Sequence, residues 1–587
     1  MNRNGAQMIV EALRREGVDT VFGYPGGAVI PIFNALYDAP DIRVVLNRHE
    51  QAAVHAADGY ARATGKVGVC IATSGPGATN TVTGLATARF DSIPIVCITG
   101  QVIRSLIGND AFQEADTIGI TQPVTKHNYL VMKRDNLGSI LKQSFHLAAS
   151  GRPGPIVVDV PKDIQLESLD DEYPENFTIR GYKPVTRASM DEVARLADAI
   201  SRSQKPLFFL GGGMTIANAQ DAFAKIFEAT GIPVVTSLMG IGIVNSRHPL
   251  NLGMIGMHGS IAANKALTAC DLLVGLGVRF DDRATGETSR FAPGAKIAHV
   301  DIDPTSIGRN MRVDIPLVGD LDLVLKDLSP LLGPTDLSAW IDEVEGYKRF
   351  AHDFEAKVAA RLAKPANGAE LPSPKAVLDV VNEVFPDAVI TTEVGQNQMW
   401  AAQFLPFSRP RRWLTSGGLG TMGYGFPAAL GAQAGKPDDA VVVIAGDGSF
   451  QMNIQELATC VQENLPVIVV VMNNGYLGMV RQWQELFYDH RYSSTCLQTR
   501  AGCPKGCSVP GPQCPPYSPD FAGIAKAYGA AGFTTTTLSE FRDAVLAARA
   551  SRRPTVIDCR IAREENVWPI VPPGKGNDQM LYEGVTV

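Results

Sequence analysis

The sequence is short of cysteine, has no long apolar run and carries no excess of basic charge, and each shortage removes a class of function. Nine cysteines in 587 residues do not make a disulfide scaffold. They are thinly spread except for Cys496, Cys503, Cys507 and Cys514. Apolar stretches such as residues 466–472 fall far below the roughly 20 residues that a membrane-spanning helix needs. A net charge of −7 and a pI near 5.8 argue against nucleic acid or an anionic membrane as the main partner. Residues 1–17 run into an amphipathic pattern with Glu11, Arg14 and Arg15 and have no signal-peptide core. The expectation is a soluble, cytoplasmic protein with no membrane or nucleic-acid partner.

What the chain does have is glycine, 57 residues of it, placed after β-branched runs. Length and a 45% hydrophobic content suggest about three to four domains. Strand, glycine turn and helix alternate three times over, which predicts an α/β protein of three doubly wound parallel-sheet domains at residues 1–180, 188–340 and 374–587. The polar stretch 170–187, interrupted by Pro174, Gly181 and Pro184, reads as a linker.

Residues 446–474 organise the rest. A strand over 440–445 opens into Gly446-Asp447-Gly448-Ser449; one amphipathic helix follows, with Ile454, Leu457 and Val461 on a face; a second strand over 466–472 ends in Asn473-Asn474. A right-handed crossover brings both strand ends to one sheet edge, so Asp447 and Asn474 stand side by side. One carboxylate and one amide are too few for a calcium cage but suit Mg²⁺ that takes its other ligands from phosphates. Earlier in the chain, Arg48-His49-Glu50 opens a helix over 51–63, and a strand over 67–72 ends in Ser74-Gly75-Pro76-Gly77. A glutamate in a first turn also complements the helix dipole. In the middle third, Gly211-Gly212-Gly213 after one strand could hold phosphates and Asp301 after another a ribose; taken singly, each reads first as a plain turn.

Gly-Asp-Gly and Asn-Asn separated by one helix resemble the diphosphate-binding motif of thiamine-diphosphate enzymes. His49-Glu50 with the Ser74–Gly77 turn resembles their pyrimidine-binding domain. Gly211 to Gly213, Gly256-Met257-His258-Gly259 and Arg279 to Arg283 resemble the FAD-binding domain of the acetohydroxyacid synthases. The resemblance runs in order over nearly the whole chain and implies pyrimidine-binding, central FAD-binding and diphosphate-binding domains. It implies that Asp447 and Asn474 bind Mg²⁺ by side chain and Tyr476 by its carbonyl. It places Val394, Gln396, Asn397, Gly448 and Ser449 at the thiamine diphosphate, Gly420 at the pyrimidine amine, and Met422 under the bent cofactor. Glu50 would hydrogen-bond the pyrimidine ring and drive the tautomer that takes the C2 proton. Gly27, Phe112, Gln113 and Lys162 fall in the substrate channel, and Arg283 and Trp483 where the second substrate is selected. Arg152, Gly212, Gly213, His258, Arg279, Asp301 and Asp320 fall at the FAD.

The implied reaction decarboxylates pyruvate and joins the remaining two-carbon unit to a second pyruvate or to 2-ketobutyrate, the first common step of valine, leucine and isoleucine biosynthesis. The implied assembly is a homodimer or tetramer, with a small regulatory subunit possible, the cofactor lying between the first domain of one subunit and the last of its partner. FAD would be structural, since carboligation transfers no net electrons. A flavin-using pyruvate oxidase, another carboligase and a cofactor-binding non-enzyme are the alternatives; Glu50 disfavours the glyoxylate-type branch, which lacks that glutamate. Two departures from the family pattern stand out. Ile103 replaces a proline common in relatives, which puts inhibitor sensitivity in doubt. The segment between Tyr492 and Phe521 looks longer than in most members, and its four cysteines could be free thiols, zinc ligands or disulfides; only Cys503 and Cys507 have the short gap of a zinc knuckle.

Overall fold

The glycine turns close β-branched runs into three six-stranded parallel sheets. The computed structural model describes residues 3–169, 173–362, 371–497, 518–583 and 585–586. The N-terminal sheet contains β1 (Thr20–Gly23), β2 (Arg43–Leu46), β3 (Gly68–Ala72), β4 (Ile95–Gln101), β5 (His127–Leu130) and β6 (Pro155–Pro161), in the order β2-β1-β3-β4-β6-β5. The central sheet contains β7 (Pro206–Leu210), β8 (Val234–Thr236), β9 (Asn251–Met254), β10 (Leu272–Leu276), β11 (Lys296–Asp301) and β12 (Ile315–Val318). Its order, β9-β8-β7-β10-β11-β12, is that of dinucleotide-binding sheets. The C-terminal sheet contains β13 (Val389–Thr392), β14 (Trp413–Leu414), β15 (Val441–Gly446), β16 (Ile468–Asn473), β17 (Ala531–Thr535) and β18 (Thr555–Arg560). Its order, β14-β13-β15-β16-β18-β17, repeats the path of the N-terminal sheet strand for strand.

The strands expected at 67–72, 440–445 and 466–472 form within a residue or two of those bounds, as β3, β15 and β16. The expected single helix after Asp447 does not form. A turn of helix at Asp447–Phe450 runs into a 3₁₀ segment, Gln451–Glu456, and only then into helix Leu457–Gln462. The break is at Asn453 (φ −134°, ψ 30°), whose side-chain amide donates to the Gly423 carbonyl at 2.6 Å instead of facing solvent. Local apolar spacing loses there to a contact 30 residues away.

The chain divides into two compact units. The first comprises Met1–Lys183, Ala388–Gln398 and Leu414–Arg563, and so holds the N- and C-terminal sheets. Within it, helix α1 (Glu50–Thr64) lies against helix α2 (Val82–Asp91) and against helix α3 (Gly425–Gly435). α1 is capped at its start by His49, whose Nδ1 accepts from Gln51 N, and at its end by Gly65 in the left-handed conformation, φ +80°. The α1–α3 crossing is close because of two glycines. A Cβ on Gly59 would stand 2.0 Å from the Ala428 carbonyl oxygen, and one on Gly431 would stand 1.7 Å from that of Ala56. Any side chain there must push the helices apart.

The second unit comprises Pro184–Asp387, Met399–Trp413 and Glu564–Val587. Apolar layers cover both faces of its central sheet, one built on Phe208, Phe223 and Leu325, the other on Phe209, Phe280 and Trp340. Trp340, on helix Ser338–Leu362, buries its ring and donates Nε1–H to the Pro206 carbonyl at 3.0 Å. Among the described residues no helix is long and apolar enough to cross a membrane.

Candidate active site

In the first unit, two groups of side chains collect at the carboxyl ends of strands. The C-terminal group forms where β13, β15 and β16 end. Parallel pairing sets Gly446 beside Met472, and from there the Asp447 carboxylate reaches the next loop, its Oδ2 accepting from Gly475 N at 2.9 Å. Asp447 is 2% exposed, and among the described residues no lysine or arginine pairs with it. Burial pushes its pKa up to about 7, against the pull of the Gly475 and Gly448 amides. A buried anion without a cation is costly and is a place for a metal ion.

The rest of the set gathers around it. Asn474 Nδ2 donates to Gln396 Oε1 at 3.3 Å, and Asn474 Oδ1 accepts from Tyr476 N at 3.1 Å. Gln396 Nε2 in turn donates to Gln482 Oε1 at 3.0 Å on helix α4 (Gly478–Phe487), the helix that bears Trp483. Asn397 Oδ1 stands 3.2 Å from where a Cβ on Gly446 would be, with Ser449 Oγ at 3.5 Å, so these strand ends converge on a space kept open by glycine. A Cβ on Gly448 would lie 4.0 Å from Met422 Cε, and one on Gly420 would lie 4.0 Å from Val394 Cγ1. Val394, Gln396, Asn397, Gly420, Met422, Asp447, Gly448, Ser449, Asn474 and Tyr476 thus belong to one neighbourhood.

The N-terminal group surrounds the turn after β3. Glu50, in the first turn of α1, is 9% exposed, and its Oε2 accepts from Asn80 Nδ2 at 3.0 Å. A Cβ on Gly77 would meet Thr73 at 2.6 Å and Glu50 Oε1 at 3.3 Å. Gln113 has φ +58°, and its carbonyl oxygen would be 2.8 Å from a Cβ on Gly75 (φ +59°). Gly27 faces open space, and Lys162 opens the short helix after β6. Phe112 is 89% exposed, so none of the described residues covers it. Ile103 is exposed just before the turn Arg104–Leu106.

Three family models match the chain. They are the N-terminal TPP binding domain of thiamine pyrophosphate enzymes over residues 3–120, the central domain over 193–328 and the C-terminal TPP binding domain over 393–559. The chain is 46% identical to the acetolactate synthase large subunit of Corynebacterium glutamicum, over 98% of this chain and 90% of that protein. It is 47% identical to the acetolactate synthase large subunit of Mycobacterium tuberculosis, over 98% and 91%. It is 44% identical to the acetolactate synthase isozyme 3 large subunit of Escherichia coli, over 98% of both. The chain belongs to the acetolactate synthase family of thiamine pyrophosphate enzymes.

For an acetolactate synthase the C-terminal group has the right donor set for thiamine diphosphate. It offers a buried carboxylate without a cation, neutral amides at Gln396, Asn397 and Asn474, and glycines at 446 and 448 where a phosphate must come close to backbone. A carboxylate that sequence reasoning passed over lies in the same place. Glu393, fully buried at the end of β13, accepts from Gly423 N at 2.7 Å and Phe426 N at 3.0 Å, and burial lifts its pKa to about 7. A glutamate after a strand is an ordinary residue; only the return of the chain 30 residues later gives it a task.

The second unit places the remaining candidates more loosely. Gly212 and Gly213 open a helix after β7, and a Cβ on Gly213 would lie 2.7 Å from Gly277 Cα after the neighbouring strand β10. His258 is buried and its pKa is lowered to about 4 by burial. Arg279 faces Asp281 at 3.5 Å, and Arg283 Nη1 lies 3.5 Å from Met257 Sδ. The two aspartates are in use inside the chain. Asp301 accepts from Asp303 N at 2.8 Å, and Asp320 caps helix Leu321–Leu328 through Asp322 N and Leu323 N. Arg152, in the first unit, donates to Ser92 Oγ at 2.9 Å. Of the clustered cysteines, Cys496 is free and half-buried, bridged across from Tyr476; Cys503, Cys507 and Cys514 lie outside the described residues.

Proposed function

We propose that this chain is the catalytic subunit of an acetolactate synthase, forming acetolactate from two pyruvates and acetohydroxybutyrate from pyruvate and 2-ketobutyrate. The observation that carries the reading is the buried Asp447 carboxylate, free of any cation among the described residues, which accepts from Gly475 N next to Asn474, itself hydrogen-bonded to Gln396, where β13, β15 and β16 end. Asp447, Asn474 and the Tyr476 carbonyl would hold Mg²⁺, and Gln396, Asn397, Gly448 and Ser449 the diphosphate. Bound thiamine diphosphate supplies the electron sink that lets a 2-keto acid lose CO₂. Glu50, whose Oε2 accepts from the neutral Asn80, would be the residue that holds and returns the proton. One C–C bond breaks as CO₂ leaves, and one forms to the carbonyl carbon of the acceptor, whose oxygen takes up a proton.

The same reading assigns FAD to the central sheet, with Gly212, Gly213, His258, Arg279, Asp301 and Asp320 around it, and gives it a structural role. The strand order of that sheet and the close Gly213–Gly277 approach support a dinucleotide there. The three sheets then serve pyrimidine, FAD and diphosphate in chain order. The assembly is read as a homodimer or larger with a small regulatory subunit, in the cytoplasm; the exposed Phe112 and the open Gly27 would face the substrate channel. Product analysis tests the reaction. Pyruvate alone should yield acetolactate with one CO₂ per product, and added 2-ketobutyrate should divert product to acetohydroxybutyrate. Acetate or acetyl phosphate, with flavin reduced by pyruvate at turnover rates, would instead make it a pyruvate oxidase.

A further inference from the structure

Residues 417–426 connect β14 to α3 and are gripped at both ends by buried carboxylates. At the start, Gly417 N donates to Asp91 Oδ2 at 3.0 Å and Gly418 N to Asp91 Oδ1 at 2.8 Å. Asp91 closes helix α2 of the N-terminal sheet, with its side chain 1% exposed. The Arg62 guanidinium on α1 holds it at 2.9 Å while also pairing with Asp58. At the far end, Glu393 takes Gly423 N on one oxygen and Phe426 N on the other. Further bonds stiffen the same stretch. Asn453 donates to the Gly423 carbonyl, and Tyr424 OH donates to Asp58 at 2.7 Å. The Thr421 hydroxyl meets that of Thr87 at 2.7 Å. Between the two grips the chain turns outward. Leu419 is 38% exposed, and Gly420 is exposed with φ +71°, a conformation that favours glycine.

Each carboxylate takes two backbone N–H groups, one per oxygen, which no neutral side chain of the same size can do. An amide has one acceptor oxygen, and its NH₂ would face the second N–H as donor against donor. We propose that Asp91 and Glu393 are positioning residues for the pyrimidine end of the cofactor, fixing where Gly420 and Met422 stand by holding both ends of segment 417–426. The inference rests on the placement, implied by the family resemblance, of Gly420 at the pyrimidine amine and of Met422 under the bent cofactor. It goes beyond that assignment, because neither carboxylate is taken to touch cofactor or substrate.

The test uses Glu393→Gln and Asp91→Asn in the full-length enzyme, stripped of cofactor and titrated calorimetrically with two probes at saturating Mg²⁺. Thiamine diphosphate reports both ends of the site, and inorganic pyrophosphate reports the diphosphate end alone. Each variant should bind thiamine diphosphate about 10-fold more weakly, equivalent to about 1.4 kcal/mol, and bind pyrophosphate within about two-fold of the parent. Unchanged thiamine diphosphate affinity, or a parallel fall for pyrophosphate, overturns the proposal. The two carboxylates grip opposite ends from different elements, so if one variant does not fold the other decides. A variant set that behaves as expected in a protein making no acetolactate would sink the proposed reaction and leave the positioning role standing.

Discussion

The N- and C-terminal sheets follow the same strand path yet place their acids differently. In the N-terminal sheet the acid of interest, Glu50, follows the second strand, at the head of a helix, and its one side-chain hydrogen bond among the described residues comes from the neutral Asn80. In the C-terminal sheet the acids, Glu393 and Asp447, follow the first and third strands, are buried, and accept backbone N–H groups. On the reading proposed above, the first environment would serve proton transfer and the second would hold a cation and the chain around it. On that reading one topology would carry two chemistries, set by the strand end that bears the acid.

The sharpest way to break this contrast is Glu50→Gln. The change keeps shape and hydrogen bonding but removes the proton acceptor. Exchange of the C2 proton of bound thiamine diphosphate should slow by about 10²–10⁴-fold, the usual cost of losing acid–base help, while the cofactor stays bound. Exchange at the parent rate would take the proton-handling role away from the N-terminal sheet.

Asp447→Asn attacks the other side. The Mg²⁺ concentration for half-maximal thiamine diphosphate binding should rise by at least about 100-fold, beyond the 10–100-fold typical of losing a residue behind the ligands. Glu50-dependent chemistry should return at saturating metal. Metal dependence unchanged in the variant would leave Asp447 as a turn residue.

How much of this was legible beforehand follows the range of the forces involved. The parallel sheets were readable because burial on both faces demands continuous β-branched runs, and 441–446 and 468–473 are such runs. The approach of Asp447 to the loop that carries Asn474 was readable because one crossover joins their strands. The break at Asn453 was not, since Ile454, Leu457 and Val461 keep a helical spacing and the competing acceptor, the Gly423 carbonyl, belongs to another loop. Glu393 and Asp91 escaped for the same reason; their partners are backbone amides 30 and 326 residues away, and an amide has no sequence signature. Asp301 and Asp320 show the reverse hazard: an acid after a strand is also what a loop or helix cap needs.

The acceptor side of the reaction sharpens the comparison further. Trp483 lies on α4, which Gln482 ties to Gln396, and it lines a cleft of about 560 Å³ with Met479, Val480, Tyr488 and Arg491. If its ring packs on the extra methyl group of 2-ketobutyrate, Trp483→Leu should lower the preference over pyruvate by about 10-fold, the low end of what one methylene supplies. Competition between the two acceptors measures it. An unchanged product ratio would confine the ring to packing against Phe487, its edge-to-face neighbour at 5.7 Å.

The smallest effect concerns a buried carboxylate on a strand of the N-terminal sheet, Asp159. Asp159 on β6 accepts from Thr99 Oγ1 at 2.6 Å and Gln101 Nε2 at 2.9 Å, both on the adjacent β4, and burial lifts its pKa from 3.8 to about 7. These two partners are side chains of a paired strand, so Asp159 ties β4 to β6. The folded state therefore keeps a proton that the unfolded chain gives up near pH 4, and the stability this lends is full below that pH and lost as pH rises through about 7. The slope for a single group is at most about 1.4 kcal/mol per pH unit. Asp159→Asn removes the titration, so its melting temperature should gain on the parent's between pH 5 and pH 8, with thiamine diphosphate affinity unchanged. A constant gap across that range would show that the Asp159 carboxyl does not titrate there, and a loss of cofactor affinity would erase the line drawn between the two sheets.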